Sequence, residues 1–251
     1  MGKLQNKIAI ITGGSRDIGR AVSVAMAREG ASVVVNYYND EGAARETLAE
    51  LESASGKGIA VRGNMTLPGD VERVVSAARE KFGDAIHVLV NVAGGMVERR
   101  PLADMDMDFL EHVMRLNLTS TFLATQAVVP YMPEGGSIVN FASQAGRDGG
   151  GPGAAAYATS KGAVMTFTRS MAKELGPKGI RVNSLCPGMI ATTFHDTFTK
   201  DEVRANVAAA TPLRRQGDAT ETAAAAAFLA SDEAAFITGA NIDINGGMFF
   251  S

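Results

Sequence analysis

The stretch KIAIITGGSRDIG, residues 7–19, decides the fold that the sequence predicts. Its first part, KIAIIT (7–12), is an apolar run of strand length, and a glycine-rich turn then leads directly into a helical stretch. Such a turn lets backbone N–H groups and the positive end of the helix dipole meet a pyrophosphate. It can also be no more than a tight turn, but its place after the first strand of a β-α series favours a dinucleotide site.

The alternation of strand-length apolar runs and helical stretches continues along the chain. The predicted strands are 7–12, 31–36, 58–63, 86–91, 136–141, 179–185 and 240–244, and the predicted helices are 18–29, 40–54, 69–82, 106–132, 154–176 and 219–230. The strands are rich in Val and Ile, as expected of strands covered on both faces. We therefore predict an α/β protein, a single Rossmann-type doubly wound domain over residues 1–251, with a seven-stranded parallel sheet and helices on both faces. The polar stretch 190–217 has no strand and is predicted to be a substrate-binding lid.

Charge and cysteine content argue against several classes of protein. The net charge of −3 leaves no basic surplus for a phosphate backbone, so no nucleic-acid partner is expected. The single cysteine, Cys186, excludes an internal disulfide and a cysteine-based zinc site, and no metal is expected. We find no signal peptide and no apolar run near the roughly 20 residues of a membrane span, which favours a cytoplasmic protein with no membrane partner. Cys186 is predicted to be a small buried residue, and His87 and His112 to be structural.

Tyr157 and Lys161 lie four residues apart on a predicted helix and therefore share a face. Hydride transfer to a ketone needs a proton donor for the developing alkoxide. The pKa of a free tyrosine is about three units too high for exchange near pH 7, so roughly 4 kcal/mol must come from its neighbours. A lysine cation and the positive charge of oxidised nicotinamide both favour tyrosinate. A lone pair at this spacing is common by chance, so its meaning depends on the surrounding motifs.

The motifs together resemble those of the short-chain dehydrogenases/reductases, over about residues 5–250. The turn at residues 12–19 is similar to the family's Thr-Gly-x-x-x-Gly-x-Gly fingerprint. The resemblance implies an NAD(P)(H)-dependent oxidoreductase that moves a hydride between a nicotinamide and a ketone or secondary alcohol. It implies four catalytic residues: Asn117, Ser143, Tyr157 and Lys161.

The resemblance also implies a role for each of the four. Tyr157 would be the acid and base, and Ser143 would orient the substrate carbonyl. Lys161 would bind the nicotinamide ribose and lower the pKa of Tyr157. Asn117 would hold a water in a proton relay to Lys161, and an asparagine inside a helix is disfavoured unless its side chain is used.

The cofactor-binding residues implied by the resemblance follow the strands in order. They lie in the glycine turn, at the ends of the second, third, fourth and sixth strands, and at the catalytic pair. They are Gly13, Ser15, Arg16, Ile18, Gly19, Asn36, Tyr37, Asn64, Met65, Asn91, Ala93, Gly94, Tyr157, Lys161, Pro187, Gly188, Ile190 and Thr192.

The end of the second strand indicates the cofactor. An acidic residue there would accept a hydrogen bond from the adenosine ribose and select NAD, but residues 36–38 carry no carboxylate before Asp40. Arg16 can pair with a 2′-phosphate, a combination that in the family implies NADP. We therefore favour NADP(H), with NAD(H) possible if Arg16 only neutralises Asp17.

Asp17 departs from the family fingerprint, which has glycine at this position. Its carboxylate lies close to the expected pyrophosphate, so the sequence predicts weakened cofactor binding. Two interactions can offset the repulsion: capping of the following helix, or pairing with Arg16 or Arg20.

Three stretches indicate the substrate: 94–101, 146–153 and 193–195. Together they resemble reductases of the 4-deoxy-5-keto-hexuronate formed in alginate breakdown. The implied substrate residues are Gly95, Arg99, Arg100, Ser143 and His195. Either arginine can clamp a carboxylate, and His195 can bind a hydroxyl or carboxylate. The alternative is that both arginines are solvated and His195 is only a loop residue.

Two other functions remain open from the sequence. A 3-oxoacyl-[acyl-carrier-protein] reductase is the main alternative, although residues 128–134 lack the basic residues that would meet an acidic carrier, leaving Lys173 as one possible contact. A non-catalytic dinucleotide-binding protein is the alternative of another class. The helix 154–176 is apolar or small on most faces, and with 106–132 it is expected to build a homotetramer.

Overall fold

The computed structural model describes residues 2–250 and contains one parallel sheet of seven strands. The strands, β1 to β7, are Ile8–Thr12, Ser32–Tyr37, Lys57–Arg62, Val88–Asn91, Ser137–Phe141, Arg181–Pro187 and Asn241–Ile244. Their order across the sheet is β3-β2-β1-β4-β5-β6-β7, and every neighbouring pair is parallel. The predicted seven-stranded doubly wound sheet is confirmed, each strand lying within two residues of its predicted bounds.

Within residues 2–250, ten α-helices connect the strands. They are α1 Asp17–Arg28, α2 Glu41–Ser53, α3 Pro68–Phe82, α4 Met107–Met114, α5 Ser120–Val128, α6 Ala145–Asp148, α7 Ala155–Leu175, α8 Thr193–Phe198, α9 Asp201–Ala210 and α10 Ala219–Ala230. Local signals explain several ends: Pro68 opens α3, and Asp218 begins α10 with a capping box that includes Glu221.

Alternate residues of each central strand point to opposite faces and build two cores. Val33 and Val35 of β2 pack on the face covered by α1 and α10, whereas Val34 packs on the face covered by α3, α5 and α7. Because both faces are apolar, the strands read as continuous Val and Ile runs. The helices on both faces are therefore as predicted.

The helix expected over 106–132 is interrupted, which corrects the sequence prediction. Between α4 and α5, residues Arg115–Thr119 form a π turn, and Val129–Tyr131 is a 3₁₀ turn containing Pro130. The Asn117 side chain donates to the Val113 carbonyl at 3.0 Å, the acceptor that an α-helix would give to the Asn117 backbone N–H. This competition explains the wider turn, and the missing N–H of Pro130 explains the helix end.

The segment 190–217 leaves the sheet after β6 and returns to nearly the same point. Ile190 and Gly217 form a parallel bridge, and the Ala191 N–H donates to the Gly217 carbonyl at 2.9 Å. Between them α8 and α9 stand over the carboxyl end of the sheet. Its role as a lid stays a prediction.

Two expectations about single residues concern the interior. Cys186 of β6 is buried, as predicted, and burial raises the pKa of its thiol. His87 accepts a hydrogen bond from the Ile8 N–H through Nδ1 at 3.1 Å, a structural contact. Within residues 2–250 we find no helix with the length and hydropathy to cross a bilayer.

Candidate active site

A cavity of about 1190 Å³ opens at the carboxyl ends of β1, β4, β5 and β6. The strand order reverses between β1 and β4, and in open parallel sheets ligands bind in the crevice outside this switch point. A pocket for one small ligand is typically about 300–1,000 Å³. The cavity therefore has room for an extended ligand and a second small molecule.

The glycine turn after β1 forms one wall of this cavity. Asn36 accepts from the Gly13 N–H through its side chain at 3.1 Å and from the Gly14 N–H through its backbone at 2.9 Å. Gly19 packs so closely that a Cβ there would lie 1.9 Å from the Gly13 carbonyl oxygen. Asn36 thus fixes the turn from its position in β2. The next backbone N–H groups, at the start of α1, remain available to bind an anion.

Asp17 makes a contact that the sequence did not indicate. Its carboxylate accepts hydrogen bonds from the N–H and the hydroxyl of Thr193, at the start of α8. Arg16 is 3.8 Å away, and Arg20 pairs instead with Glu46 and Glu50 of α2. Of the two offsets expected for this charge, the pairing with Arg16 is present, whereas the helix-capping bond is not found among the described residues, where Arg16 occupies the cap position.

Asn117 and Lys161 meet beside Gly94, at the wall of the cavity. A Cβ on Gly94 would lie 2.5 Å from Asn117 Oδ1 and 3.2 Å from Lys161 Nζ. The Asn117 amide donates to the Gly95 carbonyl at 2.9 Å, and its Oδ1 accepts from the Gly95 N–H at 3.0 Å. The side chain of Asn117 is therefore engaged with the backbone and positions residues 94–95 next to Lys161.

Ser143, Tyr157 and Lys161 line the cavity together. Loss of solvent around the phenol raises the pKa of Tyr157, and a hydrogen bond with Ser143 acts in the opposite direction. Lys161 is buried, its Nζ donates to the Phe141 carbonyl at 2.6 Å, and desolvation lowers its pKa to about 8. The ammonium lies 5.8 Å from the Tyr157 ring centroid. Burial thus raises the pKa of the Tyr157 phenol, and the expected lowering of that pKa by Lys161 stays a prediction.

Most of the residues predicted to bind a cofactor border this cavity. Those that line it are Gly13, Ser15, Arg16, Ile18, Gly19, Ala93, Gly94, Tyr157, Lys161, Pro187, Gly188, Ile190 and Thr192. Asn36, Asn64 and Met65 line a small adjoining hollow of about 90 Å³.

Tyr37 and Asn91 are not brought to the cavity wall. Asn91 is buried between β4 and β5, where its amide donates to Asn140 Oδ1 at 2.9 Å. Tyr37 ends β2 without lining either hollow, whereas the next residues, 38–40, line the large cavity. Strand-end motifs therefore located the region correctly but not each side chain.

Arg99 of the stretch 94–101 contacts the stretch 146–153 and the end of α8, the helix that begins with the stretch 193–195. Its Nε donates to the Phe198 carbonyl of α8 at 3.0 Å, and its Nη1 donates to the Pro152 carbonyl of the long turn at 3.1 Å. The side chain lines the cavity and, among residues 2–250, has no carboxylate within ion-pair distance. Gly95 and Ser143 line the same end.

Arg100 does not take part in this cluster. It pairs with Glu98 and Asp106, and its guanidinium stacks 4.0 Å from the Phe109 ring centroid, away from the cavity lining. The sequence could not separate the two arginines, because their different surroundings come from tertiary contacts.

His195 faces the cavity as a neutral ring. Burial, with the nearby Arg204 and Arg99 charges, lowers its pKa to about 4, and its Nδ1 lies 3.0 Å from Thr199 Oγ1. It therefore presents no positive charge at pH 7 to a substrate carboxylate, and Arg99 is left as the cation at this end.

Aromatic rings of α8 complete the site and were missed from the sequence. The centroid of Phe194 lies 5.7 Å from that of Tyr157 and 5.1 Å from that of Phe198. The spacing of Phe194 and Phe198, four residues apart, would have placed both on one face had a helix been predicted there.

Comparison with known proteins places this site in a family. The model of a family described as Enoyl-(Acyl carrier protein) reductase matches residues 13–249. A 3-oxoacyl-[acyl-carrier-protein] reductase of Escherichia coli is 38% identical over 98% of both chains. This chain is a short-chain dehydrogenase/reductase. It is thus an NAD(P)-dependent oxidoreductase, and the resemblance of its motifs is confirmed.

Solved structures of other short-chain dehydrogenases/reductases share the whole fold. One is an NADH-dependent reductase responsible for alginate metabolism, 33% identical, covering 100% of both chains with a TM-score of 0.90. Another is a blue fluorescent protein from a metagenomic library in complex with NADPH, 32% identical, covering 99% of this chain and 100% of that one with a TM-score of 0.92.

The residues of this short-chain dehydrogenase/reductase fit a nicotinamide dinucleotide. Free amides at the start of α1, the close-packed Gly19 and the side-chain-free Gly94 leave a continuous cradle along the cavity. In residues 2–250, no group of three His, Cys, Asp or Glu side chains is arranged to hold a metal ion.

The charge state of Lys161 predicts a pH dependence for this oxidoreductase. Its pKa of about 8 means that the ammonium is present below that pH and is lost above it. We expect kcat/KM for ketone reduction to be constant on the acid side of this value and to fall on the alkaline side. Initial rates across the range measure this, and a profile that stays flat one full unit above it contradicts the assignment.

Proposed function

We propose that the protein reduces a ketone with a hydride from the nicotinamide and a proton from Tyr157. The observation that carries this is the arrangement of Ser143, Tyr157 and Lys161 on one wall of the cavity, with Tyr157 one helical turn from the buried Lys161. When bound, the nicotinamide supplies the hydride. Tyr157 donates its proton to the developing alkoxide, and the Ser143 hydroxyl orients the carbonyl oxygen.

Lys161 and Asn117 act on the surroundings of Tyr157 in this proposal. The Lys161 ammonium, held by the Phe141 carbonyl, binds the nicotinamide ribose and stabilises the tyrosinate left after proton transfer. Asn117 fixes residues 94–95 beside that ammonium, and its predicted place in a water relay remains part of the proposal.

Removing the phenol hydroxyl tests the reaction. We expect Tyr157→Phe to lower kcat by about 10²–10⁴-fold, the usual contribution of a positioned acid, while the Kd for NADPH changes little. Tyr131→Phe is the matched control, because Tyr131 lies in the 3₁₀ turn after α5, under Arg79 and outside the cavity. If Tyr157→Phe keeps its turnover, the assignment of Tyr157 as the proton donor is wrong.

We favour NADP(H) over NAD(H) as the cofactor. Arg16 lines the cavity with its side chain 68% exposed, free to meet a 2′-phosphate. Asp40, the first carboxylate after β2, is engaged in capping α2, where it accepts from the Ala43 N–H at 2.8 Å. The Asp17 carboxylate, 3.8 Å from Arg16, competes only partly with a 2′-phosphate for this arginine, since the main partner of Asp17 is Thr193.

Cofactor preference is measured by kcat/KM for NADPH and NADH. We expect NADPH to be preferred and Arg16→Ala to remove roughly tenfold of that preference, the effect of one exposed charged contact to phosphate. Arg45→Ala is the control, because Arg45 is exposed on α2 and pairs with Glu41. Preference for NADH in the unaltered enzyme contradicts the proposal.

For the substrate we propose a keto-sugar acid, a keto-uronate of the kind formed in alginate breakdown. Arg99, which has no carboxylate partner in the part of the chain that the structure describes, offers a cation for a carboxylate, and the rings of Phe194 and Phe198 offer apolar faces for a sugar ring. The similarity to the alginate-metabolism reductase supports the same class. The Escherichia coli relative keeps 3-oxoacyl thioesters as the alternative substrate.

Two neighbouring arginines provide a matched test of the substrate. We expect Arg99→Ala to raise KM for the keto-uronate about 10–100-fold by removing a charged hydrogen-bond partner, and Arg100→Ala to leave it near its original value. Arg99→Ala also removes the hydrogen bond to the Phe198 carbonyl. KM for a neutral ketone of similar size is therefore measured beside it, to separate that loss from the loss of the carboxylate contact. Activity on acyl thioesters without activity on keto-uronates overturns the substrate assignment.

We also propose that the enzyme is a homotetramer built through α7 and the α4–α5 region. Phe122 of α5 is 42% exposed and packs edge-on against Phe167 of α7, with ring centroids 6.3 Å apart. An apolar surface shared by these helices suits burial against another copy of the chain.

A further inference from the structure

The contact between Asp17 and Thr193 joins the cofactor side of the cavity to the helix over its substrate side. Oδ1 of Asp17 accepts from the Thr193 N–H at 3.0 Å, and Oδ2 accepts from the Thr193 hydroxyl at 2.6 Å. Both oxygens of one carboxylate are thus used by a residue 176 positions away. Charge-assisted hydrogen bonds of this length are stronger than neutral ones.

The backbone conformation at Asp17 is one that most side chains disfavour. Its φ is +50°, in the left-handed region that favours glycine. Aspartate and asparagine tolerate this region better than other side chains. A side chain kept at such a position, with both oxygens bonded, is an observation from which a function can be inferred.

The residue that Asp17 holds is the first of α8, and α8 carries the rings over the catalytic tyrosine. Phe194 follows Thr193 directly and packs on Tyr157. The other end of the helix is held by Arg99, whose Nε donates to the Phe198 carbonyl at 3.0 Å. One charged side chain from each side of the cavity therefore fixes each end of this six-residue helix.

We propose that Asp17 is a positioning residue that orders α8 before the ketone binds. A binding site that is only partly populated in its competent form has its apparent affinity reduced by that fraction. Without the Asp17 contact, the ketone itself must order the helix, so its KM rises. The proton transfer at Tyr157 is unchanged once α8 is in place, so kcat stays close to its original value.

The first test follows backbone amide exchange over residues 193–198 by mass spectrometry, in the full-length enzyme with and without NADPH. In Asp17→Gly, which suits the positive φ, we expect exchange roughly fivefold to tenfold faster, the factor for losing one or two modest hydrogen bonds. Thr193→Val, which keeps the backbone N–H, should show a smaller increase. Thr193→Ser should restore the original rate, because it keeps the hydroxyl.

The double variant separates one shared contact from two independent effects. If Asp17 and Thr193 act through each other, Asp17→Gly combined with Thr193→Val exchanges no faster than Asp17→Gly alone. Additive increases overturn the proposal, and so does unchanged exchange in Asp17→Gly.

The second test is kinetic and uses the keto-uronate proposed above, with a neutral ketone of similar size beside it. In Asp17→Gly we expect KM for the ketone to rise by at most the factor seen in exchange, with kcat within about twofold. The Kd for NADPH should not increase, since an anion has been removed from the pyrophosphate side. A fall in kcat at constant KM contradicts the positioning role. The exchange test needs no ketone, so failure of the substrate proposal and failure of this one are distinguishable.

Discussion

The parallel pairing of β1 with β4 is the constraint on which the rest of the site depends. Connections leave these two neighbouring strands toward opposite faces of the sheet, and a crevice remains between them. Since all seven strands run in one direction, every carboxyl end lies at the same edge. The glycine turn, Gly94, Ser143 and the Pro187-Gly188 turn therefore border one cavity although they are far apart in the chain.

Removal from water then governs the chemistry of the side chains at that edge. Desolvation disfavours charge, so it raises the pKa of the Tyr157 phenol and lowers the pKa of the Lys161 ammonium. The interior thus keeps the proton on the tyrosine, the form needed to reduce a carbonyl. The Phe141 carbonyl and the carbonyl of Gly95, which binds Asn117, show how backbone groups satisfy the buried polar side chains.

The charged side chains around the cavity differ in how they are partnered. Arg99 and Arg100 are adjacent and chemically identical, yet Arg100 is neutralised by two carboxylates, whereas the partners of Arg99 within residues 2–250 are carbonyl oxygens. Asp17 shows the same principle with the opposite sign. Its charge is directed to the start of α8, so a carboxylate can be accommodated in a turn that must also receive an anionic cofactor.

The sequence by itself determined the seven strands, most helices, the order of the motifs and the four residues of the predicted catalytic group. The strands and helices follow from local signals such as apolar periodicity and glycine turns, whereas the four residues were implied by the resemblance of the motifs to the family. Only the tertiary structure decided the π turn at Asn117, the burial of Asn91, the different contacts of Arg99 and Arg100, and the partner of Asp17. Each of these depends on which groups meet across long separations in the chain and on how far those groups are removed from water. A local sequence pattern indicates neither.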